Sequence, residues 1–408
     1  MNKIERFGDN VLCNPPIKLS KNNLYPNITM EKIIPFCKNI QDIDFEEYQG
    51  QSCSKFQKGD ILMARITPCL ENGKIAKYNL DYANAIGSTE FFVFRGIKNV
   101  SNTDYIYYLL CTKYMRNLSA NSMTGASGRQ RADIKFIKKI KWNFPKLEFQ
   151  NKIASILSAY DDLIEVNNKK IKTLNEMAQE IYKEWFVRFR FPGHEKVEFQ
   201  NGIPKGWEIV KLEKFGYDIE SGNRPKGGID TTLTNGIPSL GAEHIKTLGF
   251  FDYNDIKLIS SDFYEQMKKG VGKDKNILLY KDGAYIGKVT IFMDDFPFKD
   301  YAVNEHVFLI NAKEQAYQFY LYYTLNQTHY FLQMQNLNRN SAQPGLTPAD
   351  LNILKLMKPE IKIVEKFNNV IHSILKNIFS LSKTNEKLKT QRDLLLPRLM
   401  SGKLEVKG

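Results

Sequence analysis

The sequence lacks the long apolar runs that place a protein in a membrane or carry it across one. No run approaches the roughly 18 consecutive apolar residues of a membrane-spanning helix. The first ten residues are polar and are not followed by the apolar stretch of a secretory leader. These features predict a cytoplasmic protein that has no membrane partner.

Thiol and metal chemistry are also weakly represented. The sequence contains five cysteines, which are Cys13, Cys37, Cys53, Cys69 and Cys111. None belongs to a Cys-x-x-Cys pair, and the five histidines show no ligand spacing beside them. We therefore expect no metal site, and we predict reduced, mostly buried thiols.

Motifs of common enzymes are missing as well. There is no Gly-x-x-x-x-Gly-Lys-Ser/Thr phosphate loop, and no Ser/His/Asp or Cys/His arrangement stands out. Asn14-Pro15-Pro16-Ile17 approximates the Asn-Pro-Pro-aromatic motif of adenine-methylating enzymes, but isoleucine replaces the aromatic residue and no methyl-donor site fits before it. Glu360-Ile361-Lys362 resembles half of a nuclease site, without a strand pattern beside it. We predict a loop and a helix start at these places, and no catalytic residue.

What the sequence does contain is a long repeat. Residues 1 to about 187 read a second time from about 209 to 401. This period is far too long for a solenoid, so it indicates two homologous modules. Three pairs of segments carry the repeat, and they are Ile4–Gly8 with Leu212–Gly216, Glu71–Ala76 with Tyr285–Thr290, and Tyr105–Leu110 with Tyr317–Tyr322.

Each copy begins as a mixture of short strands and helices. Ile61–Ile66, Phe91–Phe94 and Lys275–Tyr280 read as strands, because they are rich in apolar, β-branched or aromatic residues. Tyr105 to about Leu118 reads as one helix. The predicted fold class is α+β, with two α/β-type domains.

A long helix is predicted to close each copy. From about Phe149 to Val187 there is no proline or glycine, and apolar residues recur at heptad spacing. The second helix is predicted from near Glu360 to about Arg398. An antiparallel coiled coil would bury both seams and relate the modules by a pseudo-twofold axis, whereas two separate helices would leave large apolar patches exposed. The predicted boundaries are 1–145 and 192–357 for the modules and 146–191 and 358–408 for the helices.

Two asparagines interrupt the apolar seams. If residue 150 lies opposite residue 399, Asn167 lies within one turn of Asn385. A polar pair in an apolar seam lowers stability but fixes register. We therefore predict that Asn167 and Asn385 face each other, the alternative being that both lie at the edge of the seam.

The charge balance points to a polyanionic partner. The formal net charge is +13, which indicates either a contribution to solubility or a polyanionic partner, most often nucleic acid. Residues 1–145 carry 21 basic and 13 acidic side chains, whereas residues 191–357 carry 18 and 20. The second module must therefore use a local basic patch.

Basic residues in turns are the candidate contacts. Arginine suits bidentate contact with guanine, and lysine suits phosphate. Each residue alone is as readily explained as a solvated surface charge. The candidates for DNA binding are Arg65, Lys74, Arg129, Arg131, Arg224, Lys226, Lys288 and Arg339.

Several segments, in this order, resemble the specificity subunit of type I restriction–modification enzymes. They cover essentially the whole chain, and they are Phe56–Lys74, Tyr182–Gly193, Ile203–Trp207, Arg224–Gly228 with Ile237–Glu243, and Leu394–Gly402. One departure is that the first copy lacks the Pro-Lys-Gly-Trp entry of the second.

The resemblance implies a DNA-reading subunit without catalysis. Each target-recognition domain would read one half of a split, asymmetric site in double-stranded DNA. The helices would set the spacing and dock two methyltransferase subunits, and restriction subunits would join them. S-adenosylmethionine, ATP and Mg would belong to those partners. The alternatives are a stand-alone DNA-binding regulator and a non-catalytic interaction scaffold.

Overall fold

A computed structural model describes residues 3–40, 42–125, 130–283, 285–337 and 345–406. The chain divides into two compact units, the first formed by residues 1–165 with 387–408 and the second by residues 166–386. Each unit combines one module with parts of both long helices. These are the central helix, Leu147–Tyr182, and the C-terminal helix, Ile361–Met400. No helix in the described part of the chain is long and apolar enough to cross a membrane.

The first module contains two four-stranded sheets. One sheet is antiparallel, with the strand order Val11–Cys13, Phe91–Gly96, Ile61–Ala64 and Ile75–Lys77. The other has the order Asp44–Tyr48, Asn23–Ile28, Asn84–Gly87 and Ser54–Gln57, and its two inner strands are parallel. Lys3–Arg6 pairs with Lys141–Phe144. The helical segments are Phe7–Asn10, Met30–Lys32, Thr103–Cys111, Lys113–Asn121 and Ile134–Lys139.

The second module repeats this plan with different lengths. Its antiparallel sheet has the order Tyr217–Ser221, Val307–Ala312, Ile277–Tyr280 and Val289–Ile291. Its second sheet has three strands, Lys257–Ile259, Ile237–Leu240 and Ala302–Val303. Two short strand pairs are Glu208–Lys211 with Lys355–Lys358 and Phe199–Gln200 with Ile203–Pro204. The helical segments are Lys183–Val187, His194–Lys196, Leu212–Phe215, Ala242–His244, Ser261–Gln266, Gln315–Tyr317, Gln318–Leu325, Thr328–Leu337 and Pro348–Asn352.

Strand register makes the repeat explicit. Ile61 pairs with Lys77 and Phe94, and Ile277 pairs with Ile291 and Ile310 in the same way. The echo between Glu71–Ala76 and Tyr285–Thr290 is therefore confirmed. Gly73 and Gly287 occupy the same turn with φ of 74° and 87°, a region that favours glycine because it has no Cβ.

Two expectations from the sequence are wrong in detail, and they are the alignment of the first echo and the single helix over Tyr105 to Leu118. Phe7, not Ile4, is the counterpart of Leu212, because each is the first residue of a short helix. The N–H of Phe7 donates to the carbonyl of Ile140, and the N–H of Leu212 donates to the carbonyl of Leu354. Each of these carbonyls directly precedes the last strand of its module. The first echo is thus shifted by three residues. The cysteines are free and partly buried, as expected, and burial raises the pKa of the Cys111 thiol to about 12.

The helix expected over Tyr105 to Leu118 is two helices. They meet at Thr112, whose backbone is extended and whose hydroxyl accepts a hydrogen bond from the N–H of Met115. This is an N-cap, which ends one helix and starts the next. Asn14, considered above as part of a catalytic motif, has a structural contact, since its side-chain oxygen accepts from the N–H of Val93 at 2.9 Å.

The two modules pack on the long helices by different chemistry. In the first unit, buried Lys38 contacts Ser158 at 2.8 Å and Asp104 at 2.9 Å. Asp161 forms a buried ion pair with Arg392 and accepts a hydrogen bond from Tyr108. Burial is the largest single effect and lowers the pKa of Arg392, but the carboxylates of Asp161 and Asp393 act together to raise that pKa above its usual value.

In the second unit, aromatic packing takes the place of ion pairs. The ring of Phe186 lies 4.8 Å from that of Tyr320 and 5.0 Å from that of Phe367. Tyr182 shares a hydrogen bond of 2.9 Å with Thr324. Such ring pairs contribute about 0.5–1.5 kcal/mol each beyond the area that they bury.

Because the ion pair between Asp161 and Arg392 is buried, we expect the loss of one partner to lower the stability of the protein strongly. Asp161→Ala leaves the buried guanidinium with only the exposed Asp393 as a counter-ion, and we expect the free energy of unfolding to fall by up to about 3–5 kcal/mol. The double variant Asp161→Leu/Arg392→Met should recover most of this loss, because it removes both charges. Denaturant unfolding of the full chain measures both effects.

The matched control is the exposed pair between Lys58 and Asp81. Lys58→Ala should change stability by less than about 1 kcal/mol, because water screens an exposed ion pair. A small effect of Asp161→Ala, similar to that of this control, would show that the buried pair does not stabilise the first unit.

Candidate nucleic-acid interface

In the first module, Arg65 and Arg131 lie together at one end of the antiparallel sheet. Arg65 directly follows the strand Ile61–Ala64, and its carbonyl accepts from the N–H of Ala132 at 2.8 Å. Arg131 forms a β-bridge with Ile66. The fold therefore brings together two of the arginines that the sequence indicated separately.

The carboxylate of Glu90 lies between these arginines. Arg131 donates from Nε to both carboxylate oxygens at 3.0 Å and from Nη2 to one of them at 2.6 Å. Nε of Arg65 lies 3.6 Å from the other oxygen, and its guanidinium stacks over the Phe92 ring at 5.5 Å. The hydrogen bond from Arg131 outweighs burial and lowers the pKa of Glu90, so the carboxylate is ionised at neutral pH.

The second module has a corresponding cluster at the same end of its sheet. The strand register places Lys281 where the first module has Arg65, and His306 where it has Glu90. Lys281 donates to the carbonyl of Glu305 at 3.1 Å and lies over the Phe308 ring at 5.2 Å. The cation over a phenylalanine ring is therefore common to both modules.

Glu305 and Asp282 are acidic members of the second cluster. Glu305 contacts both Arg224 and His306. Its carboxylate lies 3.0 Å from Nε of Arg224 and 3.5 Å from Nε2 of His306. The other ring nitrogen of His306 lies 2.7 Å from the carboxylate of Asp282. Two basic residues of the second module, Lys281 and Arg224, thus lie at this end of its sheet beside two carboxylates.

The remaining candidates lie in different surroundings. Lys74 and Lys288 occupy equivalent positions next to the sheet. Lys74 donates to the carbonyl of Met30 at 2.8 Å, whereas burial and the charge of Lys246 lower the pKa of Lys288. Lys226 is exposed. Arg129 and Arg339 lie outside the described residues.

Sequence reasoning missed Glu90, Lys281, Glu305 and His306. The acidic residues were missed because a search for DNA contacts considers cations first. Lys281 carried a usable signal, since it follows its strand as Arg65 does. No group of three or more metal-binding side chains occurs among the described residues.

The predicted register pair is seen in the second unit. Asn167 donates from Nδ2 to Oδ1 of Asn385 at 2.9 Å, and Asn385 donates to Asn168 at 2.9 Å. Further along, the ring of Tyr182 contacts that of Phe367, so residue numbers rise on one helix as they fall on the other. The helix segments of this unit are antiparallel.

A family model describes the chain. The model of the type I restriction modification DNA specificity domain matches residues 15–176 and again residues 204–391. The chain belongs to this family. The two matches coincide with the two copies of the repeat, so both modules are specificity domains of the family.

Proteins that are similar to this chain along most of its length are named as type I specificity subunits. The MjaIX specificity subunit of a type I restriction enzyme from Methanocaldococcus jannaschii is 28% identical, over 86% of this chain and 79% of its own. The HindI specificity subunit from Haemophilus influenzae is 22% identical, over 94% and 95%. The crystal structure of a type I restriction–modification S subunit from M. genitalium has a TM-score of 0.58 and 14% identity, covering 99% of this chain and 96% of its own, which shows a shared fold.

Because Asn167 and Asn385 are buried and bonded to each other, we expect a single and a double substitution to change the stability of the protein in opposite directions. Asn167→Leu leaves the buried carbonyl oxygen of Asn385 without its donor, and we expect a loss of about 1–3 kcal/mol of stability. Asn167→Leu/Asn385→Leu replaces the pair by apolar contact and should gain about 1–2 kcal/mol, while loosening the register. Urea unfolding of the three chains measures this; a double variant less stable than the single one would contradict it.

Proposed function

We propose that this chain is the subunit that selects DNA sequences in a type I restriction–modification complex. Each module reads one half of a bipartite, asymmetric site in double-stranded DNA. The observation that carries the proposal is the repeated cation cluster. Equivalent strand ends present Arg65 in one module and Lys281 in the other, each over a phenylalanine ring and each beside a glutamate.

The two clusters share a position but differ in chemistry. Arg65 and Arg131 offer two guanidinium groups, whereas the second cluster offers Lys281, Arg224 and His306. Base edges are distinguished by the pattern of donors and acceptors that they meet in the major groove. Two modules with one fold and different side chains at one place therefore suit two different half-sites.

The long helices have a separate role in this proposal. They set the distance between half-sites, they relate the modules by a pseudo-twofold axis, and they dock two methyltransferase subunits. The central helix leaves Leu163, Val166 and Met177 between 45% and 50% exposed, which suits contact with partner helices. Restriction and translocase subunits join this core, and S-adenosylmethionine, ATP and Mg belong to the partner subunits.

Arg65→Ala and Lys281→Ala test whether the modules read DNA separately. Each should weaken or relax recognition of one half-site only, at a cost of about 1–3 kcal/mol for a lost base contact. The measurement is binding of the assembled complex to duplexes altered in one half-site at a time. Lys98→Ala is the control, because this exposed lysine lies beyond the other end of the strand that follows Glu90. Equal relaxation of both half-sites by either variant would contradict separate reading.

A heptad insertion tests the helices as a spacer. The two units divide at residues 165/166 and 386/387, and Asn167 pairs with Asn385 beside this division. A second copy of residues 166–172 inserted after Glu165, together with a second copy of 380–386 inserted after Glu386, keeps the seam in phase. It also leaves the contacts inside each unit unchanged.

The insertion lengthens each helix by about 10.5 Å, which is about three base pairs of DNA. We expect methylation of the same half-sites at a longer spacing, or loss of activity because three base pairs also turn the duplex by nearly a third of a turn. A four-residue insertion at both places is the control, since it breaks the heptad phase. Full activity of the heptad variant at the original spacing would show that the helices do not set it.

A further inference from the structure

We propose that Glu90 and Glu305 are positioning residues for base recognition. Each holds the Nε side of one arginine, Arg131 or Arg224, and so directs the opposite side of that guanidinium toward a guanine. The inference rests on the proposed function and deepens it, because it names the group that each cluster recognises and the residue that orients the contact.

The geometry of Arg131 carries the argument. A guanidinium has five N–H donors, arranged as two forks that share the Nη2 nitrogen. Glu90 occupies the fork formed by Nε and Nη2, at distances between 2.6 and 3.0 Å. The fork formed by Nη1 and Nη2 is left for another acceptor pair, and 42% of the side chain is exposed. Guanine presents such a pair, O6 and N7, in the major groove.

Arg224 makes a simpler contact from another part of its module, because its Nε lies near one oxygen of Glu305 while the other oxygen has no hydrogen-bond partner among the described residues. Its Nε lies 3.0 Å from the carboxylate of Glu305, and 38% of its side chain is exposed. Arg131 lies between the helices Lys113–Asn121 and Ile134–Lys139, whereas Arg224 follows the strand Tyr217–Ser221. The two arginines therefore come from different segments of their modules, but each contacts a glutamate. The two glutamates lie in the same turn of their modules.

That shared turn is held rigidly in both modules. Ser88 donates its N–H to the carbonyl of Ile28, and Asn304 donates to that of Leu240. The side chain of Ser88 then accepts from the N–H of Glu90 at 3.2 Å. In the same way, the side chain of Asn304 accepts from the N–H of His306 at 2.9 Å. A turn fixed at both ends keeps the carboxylate in place, which a residue that orients another one requires.

The loss of the negative charge should affect specific and non-specific DNA in opposite directions. Without Glu90, Arg131 gains rotational freedom, so its contact with guanine is less well oriented. At the same time the module loses one negative charge near the DNA, so its net charge rises by one and its contact with any phosphate is strengthened. A merely structural ion pair would lower the stability of the protein and leave the ratio of the two affinities unchanged.

The test uses Glu90→Gln in the full chain assembled with its methyltransferase subunits. We expect the ratio of specific to non-specific affinity to fall roughly tenfold, within the range of one base contact. The slope of log affinity against log salt for non-specific duplex should steepen by about 0.9. Only the half-site of the first module should relax, and Glu305→Gln should do the same for the other half-site.

Matched controls separate charge from position. Glu47→Gln and Glu265→Gln make the same charge change at exposed glutamates of the first and second modules, and they should leave the ratio unchanged. Arg131→Lys keeps the charge but has no fork, so it should lose discrimination with little change in non-specific binding. Glu90→Gln should then have no further effect on discrimination in the Arg131→Lys background.

The results for Glu90→Gln distinguish a positioning role of Glu90 from the alternatives. If Glu90→Gln behaves like Glu47→Gln, the inference is wrong. If it lowers discrimination equally with and without Arg131→Lys, Glu90 contacts a base itself and the positioning role is wrong. Thermal unfolding identifies a variant that fails to fold, and Arg131→Lys alone then decides, since retained discrimination would overturn the inference. A wild-type complex that binds no DNA sequence selectively would instead contradict the proposed function.

Discussion

The buried polar contacts of the paired helices are the constraint on which the structure depends. Apolar heptads alone allow two helices to slide by seven residues with little change in burial. The hydrogen bond between Asn167 and Asn385 in the second unit, and the ion pair between Asp161 and Arg392 in the first, remove that freedom. Each contact is satisfied in one register and leaves a buried polar group unpaired in another, which is costly. Within each unit the helix segments are thereby given a defined alignment.

The two modules share a backbone plan and differ in how they are fixed to the helices. The first uses charged contacts, among them the buried Lys38 and Asp161 and the half-buried Asp104, whereas the second uses an aromatic cluster around Phe186. Repeat sequences diverge most freely where packing can be satisfied in several ways. The strand ends are different, because there the same cation-over-ring geometry persists in both modules while the identities of the charged residues change.

Much of the fold could be predicted from the sequence, because the spacing of apolar residues indicates where helices and strands form. The repeat, the two long helices and the strands Ile61–Ala64 and Ile277–Tyr280 follow from hydrophobic spacing and turn residues. The break at Thr112 was missed, since one hydroxyl cap outweighs a continuous apolar pattern. The shift of the first echo arose in a similar way, because short apolar segments align in more than one register and only the strand pairing selects between them.

The candidate site was less accessible to sequence reasoning. Arg65 and Arg131 were identified as separate basic residues, but their meeting at Glu90 depends on a β-bridge between segments far apart in the chain. Charged clusters of this kind follow from tertiary structure, not from spacing. Lys281 could have been found because it follows its strand as Arg65 does, but its contact with Glu305 depends on the fold.

The most direct test of the account is adenine methylation across a genome. The chain is expressed with its methyltransferase subunits, and methylated positions are compared with those in cells that lack the chain. The account predicts methylation at one bipartite motif that requires the chain, and exchange of residues 1–145 for the corresponding module of a relative should change one half of that motif only. An unchanged methylation pattern in the absence of the chain, or a change in both halves after the exchange, would contradict it.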